Sequence, residues 1–117
     1  MAKTQILVEF GMGTSLRRGD YTSAAIKAVK DALWRNSINA AELFGFQKSA
    51  MLIDVEIGVA QPDAVDKEAV LAVFPYGQPQ VHVHTGGLDV PRPQGDGNTV
   101  IANAAIRVSF DMEPQND

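Results

Sequence analysis

The chain has 117 residues, enough for one domain with its own core, and its 45% hydrophobic and 21% charged content is ordinary for a globular protein. Ten Lys and Arg against fourteen Asp and Glu give a net charge of −4 without any block of like charge, which argues against sequence-independent nucleic-acid binding. Cysteine is absent, so disulfides, thiolate nucleophiles and cysteine-based zinc sites are excluded.

The first residues, Met1-Ala2-Lys3-Thr4, lead straight into a strand pattern with no apolar signal region, and no apolar run approaches the ~18 residues of a membrane span. A cytoplasmic location without a membrane partner is the expectation. The strand pattern, Gln5 to Phe10, puts Ile6, Val8 and Phe10 on one side and Gln5, Leu7 and Glu9 on the other. Gly11-Met12-Gly13-Thr14-Ser15 then reads as a turn. Asp20 and Thr22 are both suitable N-caps for an amphipathic helix running to about Ser37, with Ile26, Val29 and Leu33 as its apolar stripe and Ala25 and Ala32 beside it. Asn39-Ala40-Ala41-Glu42 has capping-box spacing for a short helical turn that Gly45 can end.

Met51 to Val59 is the second expected strand, with Asp54 and Glu56 on one side and Ile53, Val55 and Ile57 on the other. A helix is expected from Asp63 to Phe74, carrying Val65, Ala69, Val70 and Val73 near one face and stopped by Pro75. The third strand, Gln80 to Thr85, points His82 and His84 one way and Val81 and Val83 the other. The segment from Gly86 to Asn98 reads as a long loop, more often functional or mobile than decorative in so small a domain. The fourth strand, Thr99 to Asp111, alternates strictly: Val100, Ala102, Ala104, Ile106, Val108 and Phe110 share one face, and Asn103, Arg107 and Ser109 the other. Glu113 to Asp117 reads as a frayed tail.

This order predicts a single α+β domain over residues 1–117. It would be a two-layer sandwich with a four-stranded, mostly antiparallel sheet and two main helices on one face. The other face is then polar, and carries acids, histidines and arginine. The arrangement favoured here is a homo-oligomer in which this face lines a cleft shared between subunits.

On that face His82 and His84 have H-x-H spacing on a strand. The pair suits general acid–base work near neutral pH, or, as an alternative, a divalent metal completed by Asp54, Glu56 or Glu9. The simpler alternative is two half-exposed histidines bonded to neighbouring acids. Asp54 and Glu56 form either a carboxylate pair with separated pKa values or partners of Arg107 and the histidines. Gly11-x-Gly13 lacks the third glycine of a dinucleotide fingerprint, because Leu16 stands in its place. With Thr14, Ser15, Arg17 and Arg18 ahead of a helix, the turn suits a carboxylate or phosphate, or is only a tight bend with solvated arginines. Lys48-Ser49 invites comparison with Ser–Lys dyads, but neighbours on a strand point to opposite faces and do not meet.

The Gly11-Met12-Gly13 turn, the helix Ser23 to Val29, Gly86-Gly87-Leu88-Asp89-Val90-Pro91 and Val100 to Ala105 together resemble a small family of bacterial and plant conserved hypothetical proteins, named after a Listeria locus tag beginning "Lin". That family carries G-x-G-x-D-x-H-G after its first strand. Gly11 and Gly13 match it, whereas Ser15, Arg17 and Arg18 replace its Asp, His and Gly. The resemblance implies a fold and an important turn, without an established reaction. At the level of fold the unit also resembles single repeats of ring-opening amidohydrolases and small trimeric deaminase-like proteins, both of which place sites between subunits.

The functional expectation is a small cytosolic enzyme, a hydrolase or isomerase of a small polar amide, imide or carbonyl compound. Arg17 or Arg18, with Gly11, Gly13, Thr14, Ser15, Gly86 and Gly87, would bind an anionic substrate. His82 or His84, tuned by Asp54, Glu56 or Glu9, would move protons, and Arg107 would orient a carboxylate or stabilise negative charge. A non-catalytic metabolite-binding or structural assembly protein is the alternative.

Overall fold

The computed structural model describes residues 2–16, 19–35, 50–74, 77–93, 95 and 97–112. The expected helical turn at 39–45, Lys48-Ser49, Arg17, Arg18 and the tail at 113–117 lie outside the described residues. Strand β1 spans Ala2–Ser15, helix α1 Tyr21–Arg35, β2 Leu52–Val59, a short helix α2 Lys67–Leu71, β3 Gln78–Thr85, β4 Leu88–Pro91 and β5 Asn98–Met112. The sheet order is β1-β5-β2-β3, with β4 pairing the start of β5 beyond the end of β2. The fold is α+β with helices on one side. The sheet differs from the expected one in having five strands and one parallel pair, β2 with β3, among antiparallel neighbours. The parallel pair follows from the connection: a crossover carrying α2 returns the chain to the end of the sheet where β2 began.

The alternation in β2, β3 and β5 holds. Ile53, Val55, Ile57 and Val59 from β2, Val81 from β3, and Val100 to Phe110 at every second residue of β5 are buried under the helical layer. In β1 the alternation reverses. Gln5 pairs Ser109 but Leu7 pairs Val108, so one residue, Ile6, is inserted as a bulge, and the register beyond it is shifted by one. Leu7, Glu9, Gly11, Gly13 and Ser15 therefore share the helix side with Val108, Ile106, Ala104, Ala102 and Val100. Val8, Phe10, Met12 and Thr14 share the open side with Arg107, Ala105, Asn103 and Ile101.

Gly11 and Gly13 are not a turn. They lie inside β1, which runs on to Ser15, and α1 rests directly on their backbone. A Cβ on Gly11 would stand 2.2 Å from the Ala28 carbonyl oxygen and 2.5 Å from the Ala32 nitrogen. One on Gly13 would stand 2.3 Å from the Ala24 carbonyl oxygen. The fully buried face of α1 is accordingly Ala24, Ala25, Ala28, Val29 and Ala32, whereas Ile26 and Leu33 are only partly buried. Small residues at spacing four bring the helix against the strand more closely than an aliphatic stripe allows.

Asp20 caps α1, its Oδ1 accepting from the Ser23 N–H at 3.0 Å. Thr22 instead ties the helix to the next connection: its hydroxyl accepts from the Asp66 N–H at 2.8 Å and donates to the Ala64 carbonyl at 3.3 Å. The helix expected over 63–74 is in two pieces, a 3-10 turn at Pro62–Ala64 and α2, because Val65 is extended and Asp66 caps a new start through Glu68 N–H and Ala69 N–H. Among the described residues no helix is long and apolar enough to cross a membrane.

Candidate functional site

The open face of the sheet has no described helix over it, and its side chains stand in rows set by the register. One row runs Val8, Arg107, Asp54, Gln80. The next is Phe10, Ala105, Glu56, His82, and the third Met12, Asn103, Gly58, His84. Five expected residues, His82, His84, Asp54, Glu56 and Arg107, therefore come together. Glu9 does not: its partner across the strand pair is Ile106, which places it on the opposite face. The bulge at Ile6 is the reason, and it also takes Leu7 off the open face.

Each carboxylate stands between a cation and an imidazole. Asp54 Oδ2 accepts a hydrogen bond from Lys3 Nζ at 2.6 Å, and Asp54 Oδ1 is 3.7 Å from His82 Nε2. Glu56 Oε1 accepts from Arg107 Nη2 at 3.2 Å, and Glu56 Oε2 is 3.6 Å from His84 Nε2. The two imidazole contacts are too long for hydrogen bonds and close enough for ion pairs with a protonated ring. Asp54 is only 5% exposed although it stands on the open face. The hydrogen bond from the Lys3 ammonium holds its carboxyl below the ordinary carboxylate value against the opposing effect of burial, and the charges of Lys3, Arg107 and His82 act in the same downward direction.

The two carboxylates are not equivalent. Glu56 Oε2 is buried and has no hydrogen-bond partner among the described residues, and neither has Arg107 Nε. Beside Glu56 lies an open hollow of about 260 Å³ lined by Phe10, Glu56, Gly58, His84, Asn103 and Ala105, together with the backbone of β2 and β5. Gly58 makes the hollow, since every other β2 residue of its parity carries a side chain on this face. Gly86 and Gly87 pack against Gly58: its missing Cβ would stand 3.4 Å from Gly86 Cα, and Gly86 N–H donates to the Val59 carbonyl at 2.8 Å. The two glycines thus adjoin the hollow, as backbone. Gly87, at φ +61°, would set a Cβ 2.1 Å from the Ile101 carbonyl oxygen.

The remaining expected binding residues lie elsewhere. Gly11 and Gly13 are occupied by α1 on the far face. Ser15 is buried there and its Oγ accepts from the Asp20 N–H at 3.2 Å. The Thr14 carbonyl accepts from Lys27 Nζ at 3.2 Å. Among the described residues no three of His, Asp and Glu are placed to hold a metal ion together. Phe10, Gly58 and Asn103 complete the hollow. Asn103 has the parity of the polar face, so β5 alternation signals it, whereas Phe10 is found only once the bulge is known.

A profile of the conserved hypothetical protein family Lin0512 matches residues 5–108. The chain belongs to that family. Among solved structures it is similar to a crystal structure of an FtsZ-like protein of unknown function from Nostoc punctiforme PCC 73102. The identity is 32%, the TM-score 0.86, and the match covers 96% of this chain and 99% of that one. No curated protein matches it significantly.

Proposed function

We propose that the hollow over Gly58 is a small-molecule site and that this Lin0512 family member works as a homo-oligomeric hydrolase or isomerase of a small polar amide, imide or carbonyl compound. The carrying observation is Glu56. One of its oxygens is held by Arg107, and the other is buried without a hydrogen-bond partner among the described residues, against His84 and beside the hollow. A buried carboxylate oxygen without a donor costs free energy, so a shift of the Glu56 side chain that opens Oε2 to an N–H or O–H donor from a ligand in the hollow is favoured. Amides, imides and enolisable carbonyl compounds offer such donors or acquire them during reaction. In this reading Glu56 accepts the substrate's proton or hydrogen bond, and His84, 3.6 Å from Glu56 Oε2, passes protons to and from it as general acid–base. Asn103 offers an amide to a carbonyl, and Phe10 walls the hollow. Arg107 holds Glu56 in place through Oε1. His82 and Asp54 form a second pair in the adjacent row and support the charge balance.

The test is amide-detected NMR of labelled protein with a panel of small imides, amides and carboxylates, alongside Glu56→Gln. Shift changes centred on Glu56, Gly58, His84 and Asn103, weakened at least tenfold in Kd by Glu56→Gln, are the expected result (about 1.4 kcal/mol). A panel that moves no resonance of the hollow at millimolar concentration removes this reading.

A second reading, a non-catalytic metabolite-binding or assembly protein, has one observation in its favour: the large apolar side chains exposed on the same face as the charged rows.

A further inference from the structure

The exposed large hydrophobics of the described chain are concentrated. Val8, Phe10, Met12, Leu88 and Val90 all have open-face parity, and Leu16 follows directly where β1 ends. Phe10 is 65% exposed, and Met12 and Leu88 are each 55% exposed. They run along β1 and, across Ile101 and Thr99 of β5, on to β4, beside the charged residues of β5, β2 and β3. We propose that this face is covered by a second copy of the chain, sheet against sheet, and that the hollow over Gly58 is closed by that copy. The proposal rests on the homo-oligomeric part of the reading above and deepens it, but it stands on the apolar stripe rather than on Glu56, so the ligand site and the dimer can each fail alone.

Three observations favour a second copy as the occupant. The first is area. At about 3.3 Å per residue and 4.8 Å between strands, the five strands present roughly 800 Å² on this side. That is about what each partner buries in a stable interface of standard size.

The second is charge. The two cations Lys3 and Arg107 are already matched within the chain to Asp54 and Glu56. A face that carries both signs in paired form does not repel its own copy, whereas a partner selected by charge calls for one sign in excess. A two-fold axis lying between the sheets and perpendicular to the strands, at the level of Phe10, sets Val8, Phe10 and Met12 of β1 on the same three residues of the copy, which is an isologous contact.

The third is the edge. Growth by strand addition along β1 is obstructed where Asp31 Oδ2 accepts from the Met12 N–H at 2.9 Å and Lys27 Nζ donates to the Thr14 carbonyl. The face remains where that edge does not.

The experiment uses the full chain. Analytical ultracentrifugation from about 1 to about 100 µM should show a dimer at the upper end, and Phe10→Glu with Met12→Glu should give a monomer with unchanged far-ultraviolet circular dichroism. Because the chain has no cysteine, Met12→Cys and Lys30→Cys each introduce a single thiol. The thiol of Met12→Cys should label at least ~10-fold more slowly in concentrated than in dilute solution, and that of Lys30→Cys, on the helical side, equally fast in both. If the double variant fails to fold, this labelling contrast decides the matter alone. A wild-type monomer throughout the range, or an assembly in which the Met12→Cys thiol labels as fast as that of Lys30→Cys, overturns the proposal.

Discussion

Asp54 stands on the face that no described helix covers and is nevertheless buried, held by Lys3 from β1, a strand that does not pair with β2. An ionised carboxylate in that position must be matched, and the 2.6 Å hydrogen bond from the ammonium does so. Its lowered pKa fixes the sign of the pH dependence. The folded state holds the ionised form more strongly than the unfolded chain does. The stability from this pair is therefore fully present above the ordinary carboxylate value near ~3.9 and is lost as pH falls through the lower folded value. Lys3→Met should cost about 1 kcal/mol at neutral pH, a modest figure because the Lys3 side chain is half exposed. Urea unfolding at pH 7 and again in the acid limb measures it. The gap between variant and parent should narrow on acidification, and a gap constant with pH would show that the contact acts through packing instead.

Helix α1 and strand β1 are held together by absence: two glycines and a row of alanines where most helix–sheet contacts carry aliphatic chains. Gly13→Ala tests this directly. The added methyl would meet the Ala24 carbonyl oxygen at 2.3 Å and the Ala28 nitrogen at 2.4 Å, both backbone atoms that cannot swing aside. The helix must lift, and a loss of about 3 kcal/mol is expected, read as a fall in the thermal midpoint. The same contact explains what the sequence hides. In β2, β3 and β5 the buried face is built of valine, isoleucine, alanine and phenylalanine in strict alternation, so parity alone places Asp54, Glu56, His82, His84 and Arg107 together. In β1 the helix-side face is Leu7, Glu9, Gly11, Gly13 and Ser15, with glycine where α1 rests, so hydrophobicity points the wrong way. Val8 and Phe10 read as core, and Glu9 reads as a neighbour of the histidines. A single inserted residue at Ile6 completes the misdirection, since a bulge has no reliable signature in composition. Strand β4 is hidden for another reason. It is four residues long and ends in proline, which an edge strand tolerates and which reads as a break. The α2 region shows the converse case: an apolar stripe at helical spacing is met by an extended Val65 and a new cap at Asp66.

At the scale of the whole molecule, the apolar alternation of β1 is not wasted. It serves the face opposite the helix, and in the proposed dimer a second copy gives it a core to join. The two sides of this sheet then have different tasks: one is closed within the chain by α1, the other between chains. If so, part of the stability belongs to the assembly and depends on concentration. Unfolding that is coupled to dissociation gains RT ln 10, about 1.4 kcal/mol per dimer, for each tenfold increase in protein. With an unfolding entropy near 2.1 cal/mol/K per residue, a chain of this length should gain about 3 °C in thermal midpoint per tenfold. Scanning calorimetry across two decades of concentration measures that slope in the parent chain. Phe10→Glu should abolish it, because a charge in the middle of the stripe must be desolvated for the sheets to meet. A midpoint that does not move with concentration in the parent chain would mean that the stripe contributes nothing to holding the fold, whatever it touches.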